Sequence, residues 1–189
     1  MFQITRHIER KIDERMVKYP FTTYDIIFLK PNESKPNWCA LTDYLKRMFT
    51  MPIPMHGDMP SATRELVVDV AEEFTDKAFC KMVQDSQATG LGSNQHPTLQ
   101  KYAMEMNPKI IGIEVPVYDE KWLGFMDLLE YDRATDKIKI IDYKPNASRD
   151  RKAPAQTLRY KALFCKCAQV SPKDVEAFYG DDQNFYKII

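Results

Sequence analysis

The chain has 189 residues, 44% hydrophobic and 29% charged, and its 27 basic and 27 acidic side chains balance to a formal net charge of zero. That length suits one globular core, and the zero balance gives no global signal for a polyanionic partner. The opening MFQITRHIERK lacks the apolar stretch of a secretion signal, no apolar run approaches the roughly 20 residues of a bilayer span, and the four cysteines predict free thiols, so a soluble, cytoplasmic protein is expected rather than a membrane protein or a disulfide scaffold.

In chain order, the first fifty residues predict a basic helix from about Ile4 to Lys18, a strand at Tyr24 to Lys30, the loop KPNESKPN, and a short helix near Leu41 to Phe49. TMPIPMHGDMP, residues 50–60, carries three prolines and a glycine. It marks the boundary between an N-terminal accessory lobe, residues 1–60, and the main unit, residues 61–189, within one compact body. Ser61 is read as the N-cap of a helix over Ala62 to Asp85, with Leu66, Val70, Phe74, Ala78 and Met82 on one stripe. Pro97 opens a short helix, PTLQKYAMEM, since proline fits the first helical turn. Strands are expected at Lys109 to Tyr118, Trp122 to Tyr131 and Lys137 to Lys144, then a helix from Pro154 to Ala168 and one or two strands in VEAFYGDDQNFYKII.

The last two of those three strands contain a conflict. If Tyr131 closes the turn against Ile138, Leu129 meets Ile140, Asp127 meets Asp142 and Phe125 meets Lys144, all on one face. Like charges in that relation destabilise a sheet, and such local conflicts tend to mark functional sites. Three things relieve the repulsion: protonation of one aspartate, neutralisation by Lys144, or a divalent cation between the carboxylates. Mg²⁺ takes hard oxygen ligands and typically keeps waters and substrate phosphate beside one or two carboxylates. Lys144, two residues after Asp142, would then stand where it can stabilise charge developing on a phosphate. Downstream, Gln156 and Tyr160 are four apart on one helical face, with Arg159 and Lys166 beside them. Taken alone, that helix is an amphipathic element with a tyrosine at the core's edge. From Arg133 to Lys173 eleven basic residues face three acidic ones, a stretch that suits either a solvated face or phosphate tracking.

Together, G-x-M-D, a hairpin, I-I-D-Y-K and Q-x-x-x-Y resemble the PD-(D/E)xK nuclease superfamily, in its RecB-like branch, over about Ile110 to Ala168. The resemblance implies an α/β (α+β) fold with a restriction-endonuclease-like core. That core would hold a central mixed sheet of four to five strands flanked by helices, beside a small N-terminal helical lobe. It implies a Mg²⁺- or Mn²⁺-dependent deoxyribonuclease acting on single- or double-stranded DNA. Asp127, Asp142 and the Tyr143 main-chain carbonyl would be metal ligands and Lys144 the catalytic lysine. Gln156 and Tyr160 would organise the site, with Tyr160, Arg159, Lys166, Arg151 and Lys152 contacting nucleic acid. The upstream ligand is left among His96, Glu105 and Glu65, while Glu114 resembles the glutamate of the family's first strand. Glu114 faces Asp127 if the loop near Asp119 to Lys121 is even in length, and points away if it is odd. Some relatives hold an iron-sulfur cluster; here Cys165 and Cys167, two apart on a helix, diverge by about 160°, and no later cysteine follows, so none is expected. A nuclease-like module that binds DNA without cutting is the alternative. An unrelated hydrolase finds no support, because no Gly-rich phosphate loop, G-x-S-x-G or Cys/His constellation is present.

Overall fold

The structure, a computed structural model, describes residues 2–12, 15–28, 35–53, 70–89 and 95–189. An α+β architecture is built on one mixed sheet of eight strands in the order β1-β2-β4-β5-β6-β7-β8-β3. The strands are β1 (Gln3–Ile12), β2 (Arg15–Tyr24), β3 (Ala71–Glu73), β4 (Ile110–Tyr118), β5 (Leu123–Asp132), β6 (Lys137–Tyr143), β7 (Val175–Gly180) and β8 (Phe185–Ile188). Neighbours are antiparallel except β6 and β7, which run parallel and are joined by helix α4 (Ala153–Ala168), the kind of crossover a parallel pair requires.

Helices cover both faces. On one, α1 (Pro36–Thr50) and α4 bury Leu41, Tyr44, Leu45, Leu163 and Phe164 against Val115, Leu129 and Ile140. On the other, α2 (Lys77–Ala88) and α3 (Gln95–Met106) bury Phe79, Val83, Leu99 and Ala103 against Ile110, Leu128, Ile141 and Phe178. β5 is buried on both sides for nearly its whole length, so its side chains cannot alternate between core and water. Each such Leu or Phe contributes about 1.5–3 kcal/mol on burial, and Asp127 sits among them at a cost that packing must offset.

Three expectations are corrected. The sheet has eight strands, not four to five, because the N-terminal hairpin and the short β3 extend it at its two edges. The helix expected over Ile4 to Lys18 does not form, and of the N-terminal lobe's expected helices only the one near Leu41 to Phe49 is present, as α1: β1 and β2 pair along all ten positions from Gln3↔Tyr24 to Ile12↔Arg15. Ile4, Ile8 and Ile12 are spaced by four, which suits a helical stripe and one face of a strand equally. The alternation of Val17, Tyr19 and Phe21, with Thr22 and Thr23 following, decides for strand. β2 then joins β4 through Thr22↔Ile113 and Thr23↔Gly112. Finally, of the helix expected over Ala62 to Asp85, residues 62–69 lie outside the described residues, and among those described from Val70 on the helix begins only at Lys77. Ala71–Glu73 pair with β8 instead, and the Asp76 carboxylate accepts the Phe79 N–H at 2.9 Å, starting α2 as its N-cap. Ser61 and most of the expected boundary at 50–60 lie outside the described residues.

Candidate active site

The register of β5 and β6 is the one counted from the turn: Tyr131↔Ile138, Leu129↔Ile140 and Leu128↔Ile141. The ladder stops at Leu128↔Ile141, and Asp127 and Asp142 are the next residues beyond it on the two strands. Side chains from helices on both faces converge at that end, α3 supplying His96 and Gln100 and α4 supplying Gln156 and Tyr160.

Both aspartates are buried, at 6% and 2% exposure. Asp127 is held on both oxygens. The Tyr143 N–H donates to Oδ2 at 2.7 Å and Gln100 Nε2 to Oδ1 at 3.2 Å, while His96 Nδ1 shares a hydrogen bond with Oδ1 at 3.3 Å. Burial works to raise the Asp127 pKa, but the His96 bond and charge, Lys144 and the Tyr143 amide outweigh it and hold the carboxyl below its usual range. Asp142 is served less well. Its Oδ2 meets Lys144 Nζ at 2.8 Å as an ion pair. Burial pushes the Asp142 pKa up to about 7, with the Asp127 charge adding to it and Lys144 opposing. Burial lowers the Lys144 pKa, and the two aspartates more than restore it, so the ammonium stays charged. Of the three expected reliefs of the repulsion, the Lys144 ammonium beside Asp142 supplies one, and burial shifts Asp142 in the direction of a second, protonation.

Glu114 joins the cluster. Tyr118 pairs with Leu123, so the loop between them is even in length and Glu114 comes opposite Asp127. Its φ of 49° lies in the left-handed region, which non-glycine residues seldom occupy in a strand, and strain of this kind gathers at functional sites. Gln100 Nε2 donates to Glu114 Oε1 at 2.7 Å. Burial, then the Asp127 charge, push the Glu114 pKa up to about 7.

On α4, Gln156 Nε2 donates to Tyr160 Oη at 2.9 Å and both residues are buried. Burial first, then the charges of Asp142 and Asp127, raise the tyrosine's pKa well above its ordinary value, which puts its hydroxyl within the field of the aspartate pair. Tyr160 therefore lies behind the site rather than on the surface. Arg151, Lys152 and Lys166 are exposed. Arg159 lies over the Trp122 ring at 4.8 Å and 3.8 Å from Asp119. Of the upstream candidates, His96 reaches Asp127, Glu105 is exposed on α3, and Glu65 lies outside the described residues. The four cysteines are free, and Cys167 Sγ donates to the Tyr118 carbonyl at 3.0 Å.

Gln100 was missed by sequence reasoning. It is a fully buried amide that ties Glu114 to Asp127 from α3, and its only sequence signal is a spacing of four from His96. Among the described residues no three His, Cys, Asp or Glu side chains stand gathered to hold a metal ion; their donor atoms are engaged by Gln100, Lys144 and the Tyr143 amide. The donor set nonetheless suits a hard divalent cation, being the oxygens of the buried carboxylates Asp127 and Asp142. Comparison of the chain with protein-family models, curated proteins and solved structures finds no match.

Proposed function

We propose that the chain is a metal-dependent nuclease that hydrolyses DNA phosphodiester bonds at the end of the β5–β6 hairpin, on a restriction-endonuclease-like core. One observation carries the reading: two buried carboxylates, Asp127 and Asp142, meet where the ladder ends, with the Lys144 ammonium 2.8 Å from Asp142. A purely structural pair gains nothing from that arrangement, because buried charges lower stability unless fully paired and hydrogen-bonded.

Asp127, Asp142 and the Tyr143 carbonyl would hold Mg²⁺ or Mn²⁺, with Glu114 and His96 adjacent. When bound, such an ion activates water and neutralises charge on a phosphodiester. Lys144 supplies a fixed ammonium for the negative charge that grows on the phosphate oxygens as water attacks and the bridging P–O bond breaks. Gln100 and His96 keep the acids oriented, Tyr160 and Gln156 wall the site from α4, and exposed Arg151, Lys152 and Lys166 are available to track the backbone. Incubating linear and circular DNA, single- and double-stranded, with Mg²⁺ or Mn²⁺ tests the reading. Cleavage that stops in excess EDTA is expected, and cleavage undiminished by EDTA rejects it.

A further inference from the structure

The turn between β7 and β8 takes no part in the chemistry above, yet it carries a buried carboxylate, Asp181, at 4% exposure. Its Oδ1 accepts the N–H groups of Gln183 at 2.8 Å and Asn184 at 2.7 Å, and Asn184 Nδ2 at 3.2 Å. These bonds close the turn. Its Oδ2 does something else: it accepts the N–H of buried Ala147 at 2.7 Å, across 34 residues of sequence.

The segment gripped in this way is the one that leaves the sheet at Lys144. The Lys144 N–H donates to the Gly180 carbonyl at 2.9 Å, Asn146 takes a left-handed φ of 62°, and Ala147 is then caught by Asp181. Residues 144–147 are therefore tied to the β7–β8 turn at both ends. A hydrogen bond to an ionised acceptor is roughly twice as strong as a neutral one, and without it the Ala147 amide is a buried donor with nothing to bond. Lys144 has a flexible four-carbon stem, and its ammonium can act at one place only if the main chain beneath it is fixed.

We propose that Asp181 is a positioning residue for Lys144: its Oδ2 holds the exit of β6 so that the ammonium remains beside Asp142. The proposal rests on the nuclease reading for its consequence, and Asp181 acts through Lys144 rather than on reacting atoms.

Asp181→Asn is the selective variant. An asparagine oxygen still accepts the Gln183 and Asn184 amides, while its NH₂ group meets the Ala147 N–H donor to donor. Three readouts separate positioning from mere support. Amide hydrogen exchange at Ala147 is expected to accelerate about tenfold or more while Gln183 and Asn184 keep their protection. Labelling of Lys144 by a small amine-acylating reagent is expected to rise toward that of exposed Lys152. The single-turnover cleavage rate with Mn²⁺ is expected to fall about 10- to 100-fold at unchanged DNA affinity, and by less than about twofold when Lys144→Ala is already present. Unchanged exchange at Ala147 and unchanged Lys144 labelling overturn the proposal, as does an equal rate loss in both backgrounds. Absence of cleavage by the wild-type chain overturns the nuclease reading alone, and the exchange and labelling results then decide whether Asp181 holds Lys144.

Discussion

Glu114 gives the site a pH signature. Its folded-state pKa of about 7 lies above the ordinary 4.5, so between those values the folded chain keeps a proton that the unfolded chain has released. The stability it contributes is full below about pH 4.5 and is lost as pH rises through 7. Glu114→Gln retains an acceptor for Gln100 and cannot ionise. In EDTA it is expected to raise stability by about 1–2 kcal/mol at pH 8, with the gain vanishing near pH 4.5; urea unfolding at the two pH values checks this, and a gain independent of pH contradicts it. Tyr160→Phe keeps the ring and deletes the hydroxyl that accepts from Gln156, so about 0.5–1.5 kcal/mol of stability is expected to go while cleavage falls more steeply. Normal cleavage by a folded Tyr160→Phe protein makes the tyrosine a packing residue only. Lys139, on β6, makes a poor control for the charge of Lys144. Its ammonium is 3.9 Å from buried Glu130 and 5.7 Å from the Phe178 ring centroid, so Lys139→Ala would strand a buried carboxylate. Exposed Lys152 is the better comparison.

Among the elements, the β7–β8 turn is closely packed. A Cβ on Gly180 would meet Phe185 Cδ2 at 2.5 Å and the Asn184 carbonyl oxygen at 2.6 Å. The second contact is backbone and cannot rotate away, so Gly180→Ala is expected to cost about 1–3 kcal/mol, read as a lower denaturant midpoint; an unchanged midpoint would show that the turn yields. The sequence made β4, β5, β6 and α4 legible because each is a long, strongly patterned run bounded by turn residues. The register that brings Asp127 and Asp142 to the same end of the hairpin was legible too, since register in a hairpin follows from its turn. The N-terminal hairpin was not, because isoleucines spaced by four fit two periods at once. β3 was hidden in the same way by Val70, Phe74, Ala78 and Met82, and only its pairing with β8 decides its state. Gln100 and Asp181 escaped for a different reason: neither carries a local pattern, and each matters only through a residue brought near by long-range folding, Glu114 in one case and Ala147 in the other.

On the scale of the whole molecule, the eight-stranded sheet sets α3 against one face and α4 against the other, and both send polar side chains to the same end of the β5–β6 hairpin. Charges are buried there in a chain that is otherwise well packed, so a bound cation should stabilise the entire fold. Mn²⁺ at 100 times its dissociation constant is expected to add about 2.7 kcal/mol, seen as a rise in Tm that EDTA reverses. Equal Tm values with and without metal would contradict binding at this cluster. The central claim, that these residues cut DNA rather than merely hold it, is tested most directly by the single-turnover rate of DNA cleavage with Mn²⁺ for the wild-type and Lys144→Ala chains, with DNA fully bound in both. An ammonium acting on charge that develops in the transition state predicts a rate lower by two or more orders of magnitude in the variant, about 3 kcal/mol or beyond. Equal rates in the two chains, or no cleavage by the wild type, would contradict it.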